Sequence, residues 1–209
     1  MKTQFIHFKS AFKDFIAFSI MDIEKAFPGF DTKNLTYWQR KGYLLKIRNG
    51  WYTFSDKDLK PSDLVYVANK IYGPSYVSLE SALSHYGFIP EGTFMTTSVA
   101  TRRSQEFSTP IGQFRYQTIK PSLCFGYHLK KSGHAWYKIA QPEKVLIDYL
   151  YLHPELNSED DYEALRWNAW QISETLNEER LQHYLGYINS RALNDRFRIL
   201  NQYLHAFIG

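Results

Sequence analysis

Cysteine is almost missing from this 209-residue chain, in which Cys124 stands alone. That excludes an internal disulfide and every zinc motif built from several cysteines. Long apolar runs are missing as well. No stretch of about 18 uncharged apolar residues is present to span a bilayer. The opening MKTQFIHFKS interrupts its apolar character with His7 and Lys9 and offers no small-residue cleavage site. These absences lead to the expectation of a cytoplasmic protein without a membrane segment. There is no internal repeat, no low-complexity tract, no phosphate-cradling P-loop and no Gly-x-Ser-x-Gly elbow. What the chain has is apolar material: 44% hydrophobic and 17% aromatic residues, enough for packed cores along most of the length. The length suits two small domains.

Charge is unevenly placed. Residues 1–60 carry eleven Lys/Arg against six Asp/Glu, residues 61–152 nine against six, and residues 153–209 five against nine. The basic surplus therefore lies at the front and the tail is acidic, a distribution that matters for nucleic-acid binding only through where the charges fall.

Phe5, Phe8, Phe12 and Phe15 recur at intervals of three and four, which predicts a first helix with one aromatic stripe and with Lys9 and Lys13 outside it. Ser19 followed by Asp22 is a capping-box variant opening a second helix, with Ile20, Ile23 and Phe27 inward and Pro28-Gly29 as its stop. Asp31 is placed to cap a third helix running to about Lys41. Leu35 and Trp38 face inward, and Gly42 supplies the left-handed residue at its end. Asn49-Gly50 within alternating residues then signals a hairpin with a type I′ turn. The register that follows pairs Arg48 with Trp51, Ile47 with Tyr52, Lys46 with Thr53 and Leu45 with Phe54. Leu45, Ile47, Tyr52 and Phe54 share the face toward the helices, with Lys46, Arg48, Trp51 and Thr53 on the other. Helices followed by this hairpin spell a winged helix-turn-helix at about residues 3–56, in a domain of residues 1–58.

Between residues 31 and 50 there are five basic side chains and one acid, Asp31, which capping takes up. A third helix of this kind fits the DNA major groove, where long donors reach base edges and phosphates. The candidate DNA-binding set is Lys33, Thr36, Tyr37, Arg40, Lys41, Lys46, Arg48 and Asn49. In it Thr36, Tyr37 and Arg40 are the candidates for base readout and Arg48 for the flanking groove or backbone. The competing reading is a protein-interaction module with a solvated basic face.

Residues 57–62 read as a boundary. Beyond it the pattern gives a helix with Leu64, Val67, Ala68 and Ile71, closed by Gly73-Pro74, and a short helix from Ser78 ending at Gly87. Strands follow at 94–101, 113–119, 123–129 and 135–140, forming an antiparallel sheet of about four. A helix then opens at Pro142, with Val145, Leu146, Tyr149 and Leu150 inward. The helical tail starts at about residue 153. One face of it holds Tyr162, Leu165, Ala169, Ile172 and Leu176; another holds Leu193, Phe197, Leu200 and Leu204. The expected class is α+β: a winged helix-turn-helix followed by a mixed effector domain over residues 59–209 with a small antiparallel sheet and C-terminal helices.

Three segments in order, Lys-Gly-Tyr-Leu-Leu-Lys-Ile-Arg-Asn-Gly-Trp-Tyr (41–52), Tyr-Val-Ser-Leu-Glu-Ser-Ala-Leu (76–83) and Ala-Gln-Pro-Glu-Lys-Val-Leu-Ile-Asp (140–148), resemble AbiEi-type antitoxins of type IV toxin–antitoxin systems. The resemblance covers most of residues 1–152. It implies a bacterial transcriptional regulator whose winged helix represses its own operon on double-stranded DNA. It also implies a C-terminal domain that counters a nucleotidyltransferase-like toxin, AbiEii, generally without a stable complex, so direct contact with the toxin stays open. Two other classes are weighed against it. A nuclease would draw on Glu80, His85, Glu143, Lys144 and Asp148, but Glu143 and Asp148 are five apart on one helix and no magnesium-binding Asp…Glu-x-Lys pattern is present. A ligand sensor would line a pocket with Tyr116, Phe125, Tyr127, Trp136 and Tyr137, although aromatics at strand spacing are more often core. His128 and His134 flank a turn and read as surface rather than a metal site. Arg102-Arg103, Arg115 and Lys130-Lys131 are further basic sites that extend a DNA footprint, face a toxin or are merely solvated. No catalytic residue, metal or cofactor is expected.

Overall fold

Aromatic residues decide how the first 54 positions fold. In the computed structural model, which describes residues 4–133 and 135–206, helix α1 (Phe5–Phe12) buries Phe8 and Phe12. The Phe8 ring lies 4.9 Å from Phe12, 5.6 Å from Phe18 and 4.7 Å from Trp38, in the range of favourable aromatic pairs. The helix stops before Phe15, which is 42% exposed, so the expected four-residue stripe is one residue too long. A two-residue strand β1 (Phe18–Ser19) leads into α2 (Ile20–Ala26) through the expected capping box. The Asp22 N–H donates to Ser19 Oγ at 3.2 Å, and the Ser19 N–H donates to the Asp22 carboxylate at 2.8 Å; such a cap is worth about 1 kcal/mol. Ile23 is buried, but Ile20, expected inward, is 41% exposed. As the first helical residue it lies against Gly50, whose carbonyl accepts its N–H at 2.9 Å.

Helix α3 (Lys33–Arg40) is followed by strands β2 (Leu44–Arg48) and β3 (Trp51–Phe54), and the three strands form an antiparallel sheet in the order β1-β3-β2. The hairpin departs from the expected register. Arg48 pairs with Trp51 as expected, but beyond it the partners are Lys46–Tyr52, Leu45–Thr53 and Leu44–Phe54, with an irregularity at Ile47. The turn is not type I′, since Gly50 has φ +77° while Asn49 keeps a negative φ. One positive-φ glycine with an extra residue in one strand is the signature of a bulged hairpin, which bends and twists the ribbon. Leu44, Tyr52 and Phe54 therefore pack on the aromatic helices, and Leu45 is displaced from that face. Ile47 is turned into a second hydrophobic cluster, together with Ala17 and partly buried Trp51. Thr53, expected on the outer face, is fully buried and donates its hydroxyl to the Ile16 carbonyl at 2.8 Å.

That second cluster belongs to the rest of the chain. Helix α4 (Pro61–Ile71) takes in Pro61, which the boundary at 57–62 includes, as its first residue, and ends before Gly73-Pro74 as expected. Strand β4 (Ser75–Val77) and helix α5 (Leu79–His85) follow, then β5 (Met95–Ala100), β6 (Gln105–Thr109), β7 (Gly112–Thr118), β8 (Tyr127–Ser132) and β9 (Ala135–Ala140). The sheet is six-stranded and mixed, in the order β6-β7-β5-β4-β9-β8, rather than antiparallel with four strands. Parallel pairs join β5 to β7 and β4 to β9; the other neighbours are antiparallel. Residues 123–126 are not strand: a 3-10 turn at Pro121–Leu123 delays β8 to Tyr127. Helix α6 (Pro142–Leu152) is the central helix, touching α5, β9 and the tail. The tail is α7 (Glu159–Ala164), α8 (Ala169–Thr175), α9 (Glu178–Ile188) and α10 (Arg191–Ala206). The expected single face from Tyr162 to Leu176 is split, because Arg166 takes φ +52° and the Asn168 side chain recaps the chain by accepting the Gln171 N–H at 3.1 Å. Among the described residues no helix is long and apolar enough to cross a membrane.

Helix α6 brings a charged network into the core. Lys144 is 0% and Asp148 1% exposed, one helical turn apart and ion-paired. The Lys144 ammonium also donates to Tyr76 Oη at 2.8 Å and lies 5.4 Å and 5.3 Å from the Tyr76 and Phe125 ring centres. The Asp148 carboxylate accepts hydrogen bonds from Tyr76 Oη at 2.9 Å and Ser78 Oγ at 2.8 Å. Burial pushes the Asp148 carboxyl above its usual range, against the opposing pull of Lys144. Room for the lysine comes from Gly126 at φ +68°, where a Cβ would stand 3.0 Å from Lys144 Cγ. Next to this pair, fully buried Glu143 accepts the Asn177 N–H at 2.7 Å and faces the Arg180 guanidinium at 2.9 Å, joining α6 to α9. Breaking a buried pair by removing one partner strands the other charge. Lys144→Met should accordingly destabilise the fold by about 3–5 kcal/mol in urea unfolding, whereas Lys144→Met with Asp148→Leu recovers most of that loss.

Candidate nucleic-acid interface

The amphipathic third helix gives the site its shape. Leu35 and Trp38 anchor α3 in the aromatic core, so Lys33, Thr36, Tyr37 and Arg40 are turned outward, with Tyr37 55% exposed. The Asp31 carboxylate accepts the Lys33 N–H at 2.9 Å. It caps the helix from one position before the N-cap Thr32, and its charge is thereby used at the positive end of the helix dipole. Gln39 is bound back to the Leu35 carbonyl at 2.9 Å. Lys41 sits at the C-cap with its ammonium 5.8 Å from the Tyr37 ring centre, and Gly42 takes φ +72°. Among the described residues no carboxylate is ion-paired with Lys33, Arg40 or Lys41, nor with Lys46, which is exposed on β2. Such a helix offers several unneutralised donors on a rigid support.

Arg48 is the exception within the sequence-derived set. It is half-buried, donates to the Ile71 carbonyl at 3.1 Å, and stacks 3.6 Å from the Phe107 ring centre and 5.0 Å from that of Tyr72. The bulge at Ile47 and the contact of β2 with β6 carry this side chain onto the second unit. Alternation alone gave no sign of it, because Tyr72 and Phe107 are distant in sequence. Asn49 is exposed at the turn. Seven of the eight candidates thus remain open to solvent.

The other expected clusters are dispersed. Glu143, Lys144 and Asp148 serve the buried network, while His85 is exposed and its Nε2 lies 2.7 Å from the Lys130 ammonium. Burial first, and then Lys130 and His128, lower the His85 pKa; burial likewise lowers that of His128, whose Nε2 is enclosed with no hydrogen-bond partner among the described residues. His134 lies outside the described residues. No group of three or more His, Cys, Asp or Glu among the described residues is arranged to hold a metal ion. Tyr116 and Tyr137 are core, Tyr116 donating to the Ala68 carbonyl at 2.7 Å, while Trp136 is 55% exposed. A cleft between α8, α9 and α10 is lined by Leu181, Leu185, Phe197 and Leu204 and by none of the five aromatics considered for a ligand pocket.

Compared with known proteins, the chain matches no family model and none of the curated proteins.

Two outcomes follow from this geometry. Arg48→Ala should lower the unfolding free energy by about 1–3 kcal/mol, from the lost charged hydrogen bond and ring contacts, while Arg40→Ala should leave the melting temperature within about 1–2 °C of wild type. Acid should weaken the protein through His85. Its folded pKa lies below the ordinary histidine value of about 6.5, so its contribution to stability is complete above that value and is lost as pH falls through the lower folded one. Urea titrations at a series of pH values should show part of the acid-side loss in wild type and not in His85→Gln.

Proposed function

We propose that the chain is a DNA-binding transcriptional regulator whose N-terminal unit acts as a winged helix-turn-helix, with α3 as the recognition helix and β2–β3 as a short wing. The observation that carries this reading is the outward face of α3, where Lys33, Arg40 and Lys41 have no carboxylate paired with them among the described residues and stand beside Thr36 and Tyr37, while Leu35 and Trp38 hold the helix on an aromatic core. Lysine and arginine on such a helix meet phosphates, and Thr36, Tyr37 and Arg40 are set to read base edges in the major groove. Asn49 and Lys46 add to the interface from the hairpin.

The likeness to AbiEi-type antitoxins extends the proposal to a cytoplasmic autorepressor that opposes a nucleotidyltransferase-like toxin. Two of the three segments behind that likeness meet in the core. Tyr76 and Ser78 come from one, Lys144 and Asp148 from the other, and all four are joined in the buried network. In this chain those segments hold the core of the second unit together. The antitoxin role rests on the likeness itself and is tested by whether a neighbouring gene encodes a nucleotidyltransferase-like protein and whether co-expression rescues growth from it.

The test of DNA binding is an electrophoretic shift with the duplex upstream of the protein's own gene. Wild type should bind with a steep salt dependence and discriminate against unrelated DNA, and Lys33→Ala with Arg40→Ala should weaken binding by about two orders of magnitude without changing the melting temperature. Absence of binding by the wild type at low salt would sink the proposal.

A further inference from the structure

Arg48 is spent on the junction, yet its neighbourhood is not short of charge. Tyr72, whose ring stacks on Arg48, has Arg102 on it as well, with the guanidinium carbon 5.8 Å from the ring centre. The Tyr72 hydroxyl donates to the Arg103 carbonyl at 2.6 Å. The Arg102 guanidinium and the Arg103 carbonyl therefore share Tyr72 with Arg48, the residue just before the β2–β3 turn, although more than fifty residues separate them from it in sequence. Both are exposed, on the connection between β5 and β6. That connection is pinned. Thr118 Oγ1 donates to the Arg102 carbonyl at 2.8 Å, the Thr118 N–H donates to Ser104 Oγ at 3.0 Å, and the Ile119 N–H donates to the Ala100 carbonyl at 2.9 Å.

Among the described residues no carboxylate is ion-paired with Arg48, Arg102 or Arg103. Glu106, on the following strand, is taken by Arg115 at 3.2 Å. The guanidinium groups of Arg48 and Arg102 share the Tyr72 ring with no acid paired to either among the described residues, so they repel one another, and that repulsion is relieved when an anion arrives. A rigid backbone beneath two exposed arginines lowers the ordering cost of binding one. Arginine is also the side chain whose fork geometry matches phosphate oxygens.

We infer that Arg102 and Arg103 form a second DNA-backbone contact beside the wing, so that the second unit supplies the phosphate-binding charge that the half-buried, ring-stacked Arg48 does not. The inference rests on the proposed DNA binding by α3. It makes the footprint a property of both units: α3 reads the groove, and the arginine pair grips phosphates flanking it. Contacts of this type add affinity and register without sequence information.

Fluorescence anisotropy of the full chain tests it, with a labelled duplex from upstream of its gene and an unrelated duplex, from about 50 to about 200 mM salt. Arg102→Ala with Arg103→Ala should flatten the plot of log affinity against log salt by about 2, near 0.9 for each lost phosphate contact. Affinity at low salt should fall about tenfold on both duplexes alike. Arg102→Lys with Arg103→Lys keeps the charge and should retain most of the slope. Its melting curve, with that of the alanine pair, shows whether each variant is folded. An unchanged slope in a folded alanine pair overturns the inference and leaves the α3 reading standing if Arg40→Ala still weakens binding. A loss confined to one duplex overturns the backbone assignment, and a lysine pair that behaves like the alanine pair overturns the role of charge. No binding by wild type removes the DNA reading itself.

Discussion

The β2–β3 hairpin has apolar clusters on both faces, and the bulge at Ile47 is what lets it satisfy both. Leu44, Tyr52 and Phe54 close the aromatic core of α1–α3. Ile47 and Trp51 close the larger core of the second unit, and Thr53 is buried between strands with its hydroxyl bonded to Ile16. A regular ribbon would send every second residue to one face and could not divide Leu44 and Ile47 in this way. The consequence reaches the surface. With the hairpin held on both sides, α3 keeps Lys33, Thr36, Tyr37 and Arg40 exposed, and Arg48 beside the turn is brought onto Tyr72, the ring it shares with Arg102.

Local signals in the sequence were read well where one side chain acts on its own neighbourhood. The Ser19–Asp22 capping box, the proline start of α6, Gly42 after α3 and the inward Leu35–Trp38 pair are all local, and all are found. What could not be read depends on distant partners. β4 is three residues long and buried throughout, so it lacks the alternation that marks a strand, and its pairing with β9 joins segments some sixty residues apart. The exposed face of α3 was legible because helical periodicity separates it from the core. Arg48 was not, because only Phe107, Tyr72 and the Ile71 carbonyl determine where it goes.

The charged residues that looked most like chemistry have structural partners in the core. Lys144 and Asp148 answer each other and two hydroxyls, and Glu143 holds the tail through Asn177 and Arg180. Such a network makes α6 a fixed strut between the sheet and the tail, at the expense of desolvating three charges. The charge that faces solvent is arranged differently, basic over residues 1–152 and acidic beyond. Under the proposed function this asymmetry orients the molecule on approach, with the front drawn to phosphate and the tail held away.

The most direct measurement is a titration of isotope-labelled protein with the duplex from upstream of its own gene, followed by amide and arginine side-chain resonances. The account predicts shifts concentrated on residues 33–41 and on Arg102 and Arg103, with the Lys144–Asp148 region of α6 unmoved. Shifts confined to the tail, or none at all at low salt, would contradict it.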